Sequence, residues 1–267
     1  MVALNLAPSS LASEILYAGI GNAGSLNDGY IATLDQSTGA GTIVGVGGTL
    51  ATLRSGLTGL AFNSLGELWG TTRKQGALVL ENINPDTGDI LSSVSMTVGM
   101  GDLSFQPGTD ILFGVSNAGF IYTINTATGV ATAITNSDTG TGRTGGLAFG
   151  ADGDTLYFAS GNFDTAELLT LSADGTFKSS VALTQFYDGL AYRPSDGLLF
   201  GDASFLAGGD ATYTITTSGT ETLLGPVGLG KASDLDFRIV PEPGSIALMG
   251  AGLVALLALR RRTLSRP

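Results

Sequence analysis

Four aspartates lie at related places in a repeated sequence and are the residues of this chain best suited to chemistry. Asp102, Asp188, Asp234 and Asp236 each stand in, or directly before, a short phrase that ends in an aromatic residue. Clustered carboxylates can bind a hard cation such as Ca²⁺, and a pair of them can act as acid and base on a glycosidic bond. We therefore predict a candidate ligand or cation site at these four residues. No cofactor is required, and Ca²⁺ is the one candidate ion.

The composition removes most other catalytic chemistry. The chain contains no cysteine and no histidine, so thiolate sites, disulfides, and Ser-His-Asp or Cys-His catalysis are excluded. None of the six glutamates falls in a repeated phrase, and two carboxylates with different roles need surroundings that separate their pKa values. We therefore predict no catalytic residue and a protein that is not an enzyme. The alternative role for the aspartates is the capping of strand ends and turns, which Asp does routinely beside Gly.

The charge distribution argues against a nucleic-acid partner. Residues 1–240 carry eight Lys and Arg against 22 Asp and Glu, hence a net charge of about −14. Such a surface repels nucleic acid and anionic lipid.

A repeat of about 44 residues must position the aspartates. Its first phrase appears as Gly59–Phe62, Asp102–Phe105, Gly146–Phe149, Gly189–Tyr192 and Asp234–Phe237, and its leucines are 43 to 45 residues apart. A second phrase, such as Leu68-Trp69-Gly70, follows the first four copies after a turn-forming stretch. Alternating strands and glycine hairpins complete each unit, as at Phe120–Asn125 before Gly129. Four short antiparallel strands per unit are typical of a propeller blade.

The two ends of the repeat predict a closed ring. The N-terminal part begins in mid-unit, with Leu16-Tyr17-Ala18-Gly19 matching the second phrase, and the C-terminal part leaves Asp234–Phe237 without a following unit. If the C-terminal strand supplies the innermost strand of the first blade, no sheet edge stays open at that place. We predict an all-β, five-bladed β-propeller closed by this strand. An open β-solenoid and a six-bladed ring with one degenerate blade are the alternatives.

The last 28 residues have a different character. Pro241 and Pro243 prevent a helix from entering from upstream, and the run from Ser245 to Leu259 has no charged residue. As a helix, Gly244 to Leu259 would span roughly 24 Å, and the following basic cluster Arg260, Arg261 and Arg262 would anchor its end in the cytoplasm. We predict a single transmembrane helix at 245–259. The alternative is a buried core helix, which three consecutive arginines disfavour.

These residues resemble a known sorting signal. Val240, Pro241, Glu242 and Pro243, the apolar run and the arginines are similar to the PEP-CTERM signal of Gram-negative bacteria. The resemblance implies that a membrane-embedded exosortase recognises the Pro-Glu-Pro element, removes the helix and passes the protein to the cell exterior. Proteins of this kind are often associated with exopolysaccharide and biofilm.

These observations divide the chain into three parts. Residues 1–13 are predicted to be the remnant of a truncated signal peptide or a disordered segment, because they lack a basic start. Residues 14–239 form the propeller ectodomain, and residues 240–267 form the sorting tail. Export without a leader is the alternative for the N-terminal part.

The predicted function is that of an exported, non-catalytic propeller in the exopolysaccharide or biofilm matrix. The protein would first be held in the membrane by its helix, with the ectodomain outside the cytoplasm, and then reach the cell surface or the extracellular space. Its partners would be the exosortase, and polysaccharide or other surface proteins. The competing interpretation is a hydrolase or lyase that acts on a glycan through the axial aspartates. A third is a degenerate propeller with a purely structural role.

Overall fold

The regular structure of the described residues consists of β-strands. The computed structural model describes residues 12–21, 27–45, 56–74, 77–134, 145–162, 165–203 and 210–241. No helix within these ranges is long and apolar enough to cross a bilayer. The predicted transmembrane helix at 245–259, Arg260 to Arg262, Glu242, Pro243 and most of segment 1–13 lie outside the described residues. The structure divides into two units, residues 16–238, which contain nearly all strand residues, and residues 1–15 with 239–267.

Twenty strands form five antiparallel four-stranded sheets, which we call blades 1 to 5. Blade 1 contains β20 (Ala232–Val240), β1 (Ser13–Ile20), β2 (Ile31–Leu34) and β3 (Gly41–Ile43) in that order. Blade 2 contains β4 (Leu57–Phe62), β5 (Leu68–Lys74), β6 (Ala77–Ile83) and β7 (Ile90–Ser95). Blade 3 contains β8 (Met100–Gln106), β9 (Ile111–Ser116), β10 (Ile121–Ile124) and β11 (Ala131–Ala133). Blade 4 contains β12 (Gly146–Phe149), β13 (Thr155–Asn162), β14 (Thr165–Ser172) and β15 (Phe177–Leu183). Blade 5 contains β16 (Gly189–Tyr192), β17 (Leu199–Ala203), β18 (Ala211–Ile215) and β19 (Glu221–Pro226).

The ring closes as the sequence predicts. The first strands of neighbouring blades contact one another, as β4 does with β8 and β12 with β16, so they line the axis. In blade 1 this place is taken by β20 from the C-terminal end of the propeller, which pairs with β1. The five-bladed propeller with ring closure by the C-terminal strand is therefore confirmed. Closure hides the backbone edges that an open array would leave unpaired.

The closing strand is longer than its sequence phrase. It continues past Phe237 to Val240, so Pro241 follows the last strand residue directly. The strand thus extends one residue beyond the predicted ectodomain boundary at 239. Pro241, which lacks a backbone N–H, is the first residue outside the strand.

The apolar core lies between adjacent blades. Among the described residues, clusters of buried side chains join blades 5 and 1, 3 and 4, 4 and 5, and 2 and 3. Aromatic residues reinforce them, because the ring in the second strand of one blade packs on the ring in the first strand of the next, as Phe113 does on Phe149 at 4.8 Å. Such pairs contribute about 0.5–1.5 kcal/mol beyond the burial of their area. The blade-to-blade spacing is therefore set by side-chain packing.

The hairpins between third and fourth strands form as the glycine pattern predicts. In the turn after β2, the Asp35 carboxylate accepts the backbone N–H groups of Ser37 and Thr38, both at 2.9 Å. Asn125 does the same for Ala127 and Thr128 at 3.0 Å. An Asx side chain that bonds its own turn fixes the hairpin locally. These turns come from local sequence alone.

Candidate functional site

The first position of the repeated phrase is a glycine in three blades and an aspartate in two. It is occupied by Gly59, Asp102, Gly146, Gly189 and Asp234 in blades 2, 3, 4, 5 and 1. A Cβ atom on Gly189 would lie 2.6 Å from the Cα atom of Asp234, so the backbones meet too closely there for a side chain. Glycine in three blades thus allows the close approach of the first strands. The two remaining positions place carboxylates at the axis.

Asp102 hydrogen-bonds the backbones of three blades. One carboxylate oxygen (Oδ2) accepts the N–H of Leu147 in blade 4 at 2.7 Å and the N–H of Leu190 in blade 5 at 3.2 Å. The other oxygen (Oδ1) accepts the N–H of Leu103 in its own blade at 2.8 Å. Asp102 is fully buried. Burial raises the pKa of Asp102, the charge of Asp234 raises it further, and the three N–H donors lower it.

The third position of the phrase repeats this arrangement on a smaller scale. Asp236 of blade 1 accepts the N–H of Phe62 in blade 2 at 2.6 Å and that of Phe237 at 2.8 Å. Ser104 of blade 3 accepts the N–H of Phe149 in blade 4 at 3.1 Å. Burial raises the pKa of Asp236 from 3.8 to about 7, against the opposing effect of the two N–H donors. A carboxylate in blade 1 and a hydroxyl in blade 3 therefore each accept a backbone N–H group of the next blade at equivalent positions.

Asp234 and Asp202 are buried carboxylates of a different kind. Both are completely buried, and neither oxygen of either residue has a hydrogen-bond partner in the described part of the chain. Asp202 in β17 pairs across the sheet with Gly189, whose backbone meets Asp234. Asp234 Oδ2 lies against Gly19 of β1, 2.9 Å from where a Cβ would stand. A buried charge without a partner is costly, so the protonated form is favoured at both positions.

A lysine and two further aspartates surround this pair. Lys231, just before β20, forms an ion pair with Asp188, just before β16, at 3.1 Å. Burial raises the pKa of Asp234 and of Asp202, and the negative charge of Asp188 raises both further, while Lys231 lowers both. Half-buried Asp210, just before β18, also has a raised pKa, chiefly from burial. One cation thus acts on four carboxylates.

The structure places all four predicted site residues at the axis. Asp102, Asp234 and Asp236 lie within first strands, and Asp188 directly precedes one. The side chain of Asp188 is 12% exposed, whereas Asp102 and Asp234 are 0% exposed. No group of three or more acidic residues in the described ranges is arranged to hold a metal ion. Asp234 interacts electrostatically with Asp102 and Asp188, whereas Asp236 is bonded to backbone N–H groups. The buried members cannot touch a solvent-borne substrate in this conformation.

Sequence reasoning missed Asp202, Asp210 and Lys231. A signal for Asp202 was present, because aligning the second phrase one residue further places it opposite Gly19, Thr71, Val115 and Ala159 in the other blades. Asp210 and Lys231 lie outside the repeated phrases and carry no comparable signal. They join the group only because the ring brings the starts of β16, β18 and β20 to one region.

Two other features lie away from these carboxylates. An open groove of about 740 Å³ runs along blade 3, lined by residues 110–112, 123–128, 130 and 132. Trp69, the aromatic residue of the second phrase in blade 2, packs against the cluster between blades 2 and 3. Neither feature includes an axial aspartate.

Comparisons with known proteins agree with this architecture and identify the tail. None of the curated proteins matches the chain in sequence. A chain of the crystal structure of the nidogen/laminin complex is 14% identical and covers 84% of this chain and 82% of its own, with a TM-score of 0.56. A chain of Kuenenia stuttgartiensis hydrazine synthase is 14% identical over 76% of this chain and 62% of its own, with a TM-score of 0.45. At such identity the first likeness shows the fold alone.

The C-terminal tail matches a family model. Residues 240–262 match the PEP-CTERM protein-sorting motif, the segment on which the sequence resemblance rests. Val240 ends β20, and the motif continues from Pro241 outside the strand. This motif implies membrane anchoring followed by processing by an exosortase and export. The protein is therefore a β-propeller that carries a PEP-CTERM sorting signal at its C-terminal end.

Proposed function

We propose that the exported propeller is a non-catalytic component of the material outside the cell, and that it binds polysaccharide or another surface protein there. The observation that carries this proposal is the use of the axial carboxylates. Asp102 and Asp236 accept five backbone N–H groups between them, of which three belong to other blades and two to their own strands. Groups engaged in this way hold the ring together.

The catalytic alternative needs carboxylates that reach a substrate. Two such groups must lie on either side of the scissile bond, and one must be protonated when the other is not. Asp102 and Asp234 have raised pKa values, but both are buried, and the more accessible Asp188 is paired with Lys231. This favours binding over hydrolysis. Because one fold can serve many functions, the fold itself does not decide the question.

The net charge narrows the class of partner. The chain has a formal charge of −11 at pH 7, and the positive charges of the C-terminal arginine cluster belong to the segment that processing removes. A strongly anionic partner would be repelled unless cations bridge the two surfaces. Neutral polysaccharide, or a surface protein with basic patches, fits the charge better.

A glycan array with the purified protein tests the proposal. We expect binding to one or more polysaccharides, with no oligosaccharide released on prolonged incubation, as measured by mass spectrometry of the supernatant. Release of oligosaccharide that Asp188→Asn abolishes and Asp174→Asn does not would overturn the proposal in favour of an axial hydrolase or lyase. Asp174 is a matched control because it is an exposed turn residue bonded to Thr176.

A further inference from the structure

We propose that β20 is a proton-controlled latch. It holds the ring closed at low pH and separates from the rest of blade 1 as the pH rises. By latch we mean the closing strand together with the acidic groups packed around it. The proposal concerns the stability of ring closure and does not depend on the proposed function.

The acidic groups around the start of β20 come from the strand itself and from blades 3 and 5. The strand itself carries Asp234 and Asp236, and Lys231 precedes it. Blade 5 contributes Asp188, Asp202 and Asp210. Blade 3 contributes Asp102, which interacts with Asp234. In β1, Gly19 approaches Asp234, and Leu57 of β4 lies on the same side of Gly19; neither carries a charge. Lys231 is the only cation among these groups.

Asp234 and Asp202 give the latch its dependence on protons. Both carboxyl groups are buried, and no donor in the described residues bonds either of them. In the closed ring their protonated forms are favoured by burial, whereas a released β20 would expose Asp234 to water and allow it to ionise. Closure therefore binds protons, and release gives them up.

The topology makes β20 the strand that opens first. Each of blades 2 to 5 is one continuous stretch of chain, in which hairpins hold the first strand to the second. Blade 1 joins strands from the two ends of the propeller, so β20 meets β1 through hydrogen bonds and side-chain packing without a connecting turn. Gly21 N donates to Lys231 O at 2.7 Å at this junction. Local unfolding begins in the segments that are held by the fewest connections, here β20.

The direction in which ring closure depends on pH follows from proton linkage. A carboxyl whose pKa is higher in the closed than in the open state stabilises closure fully below its open-state pKa, and the contribution is lost as the pH rises through the closed-state pKa. One proton released on opening makes the opening equilibrium constant rise by up to about tenfold per pH unit. Two coupled carboxyls can exceed this slope over part of the range.

Hydrogen exchange on the full-length protein in detergent tests the latch. After correction for the intrinsic rate, we expect amides of β20 and β1 to lose protection by at least about tenfold between about pH 5 and about pH 8. Amides of β13 and β14, within continuous blade 4, should change by less than about threefold over this range. A uniform loss of protection in all five blades would overturn the proposal.

Three variants separate the latch from general acid sensitivity. Asp234→Asn and Asp202→Asn keep the side-chain shape without a titrating group, and each should flatten the pH dependence at β20 and β1. Lys231→Met removes the cation that the described residues place beside these carboxyls and that lowers the pKa of Asp234 and Asp202 in the closed ring, so the loss of protection should extend to higher pH. Asp174→Asn, an identical change in an exposed turn, should leave the profile as in the parent protein. If both asparagine variants keep the parent slope, or if Lys231→Met moves the profile to lower pH, the latch is wrong.

Discussion

Replacing Asp102 by alanine tests whether a carboxylate holds the ring together across its axis. In the native ring, one oxygen of Asp102 accepts N–H groups from blades 4 and 5. Alanine would leave the N–H groups of Leu147 and Leu190 buried without an acceptor. It would also remove a fully buried carboxyl whose pKa is raised by its surroundings. The two effects oppose each other, so their magnitudes decide the result.

The loss of acceptors should dominate. A buried donor left without a partner costs about 1–3 kcal/mol, so two cost about 2–6 kcal/mol. The raised pKa of Asp102 implies that the carboxyl can be neutral in the fold. Burying a neutral, hydrogen-bonded carboxyl costs little desolvation free energy, so its removal recovers little. We therefore expect Asp102→Ala to lower the free energy of unfolding by about 2–4 kcal/mol.

Two further variants provide reference values for this loss in the free energy of unfolding. Asp102→Asn can keep its amide oxygen on Leu147 and Leu190, so it should cost about 1–2 kcal/mol or less. Ser104→Ala, two residues away on the same strand, removes the acceptor of a single inter-blade N–H group, that of Phe149. It should cost about 1–3 kcal/mol.

Urea unfolding followed by tryptophan fluorescence measures these differences. Trp69 is the only tryptophan of the chain, and it packs in the cluster that contains Leu103 and Phe105. Its emission therefore reports on the first strand of blade 3. If Asp102→Ala is no more destabilising than Ser104→Ala, or if Asp102→Asn costs as much as Asp102→Ala, then Asp102 does not hold the blades through its hydrogen bonds.

Three further predictions concern the closing strand and the tail. Since the pKa of Asp236 is raised from 3.8 to about 7, its contribution is complete below about pH 4 and falls by about 1.4 kcal/mol per pH unit up to about pH 7. Asp236→Ser, which substitutes the hydroxyl used in blade 3, should remove this slope from urea unfolding measured across that range; an unchanged slope contradicts it. Gly189→Ala should destabilise the ring by at least about 1–3 kcal/mol, because the new Cβ meets the backbone of Asp234 at 2.6 Å. Gly99→Ala is the control, since its Cβ meets only the end of a leucine side chain at 3.1 Å. Equal thermal shifts for the two alanine variants would refute this. Replacing Pro241-Glu242-Pro243 by three alanines should leave uncleaved, membrane-held protein in a host that has the sorting enzyme, as seen by immunoblot of membrane and medium, and normal release of that variant would remove the case for recognition at this motif.

The sequence by itself determined the blade count, the closing strand and the sorting tail. These depend on features that act locally along the chain: the recurring phrase with leucines 43 to 45 residues apart, the glycine turns, and the Pro-Glu-Pro element. An Asx residue that bonds its own turn, such as Asp35, forms that turn whatever surrounds it. Because each blade repeats one local pattern, a single sequence was sufficient to count the blades.

The tertiary structure alone decided what the aspartates do. The sequence placed Asp102 and Asp188 near the axis but could not tell that Asp102 bonds strands of two other blades while Asp188 pairs with Lys231. It also gave no reason to join Asp210 and Lys231 to them. Partners in neighbouring blades are at least about 40 residues apart in the chain. Their contacts depend on how closely the first strands approach at the axis. That distance is set by packing between blades and by the room that glycines such as Gly189 leave, which no local pattern records.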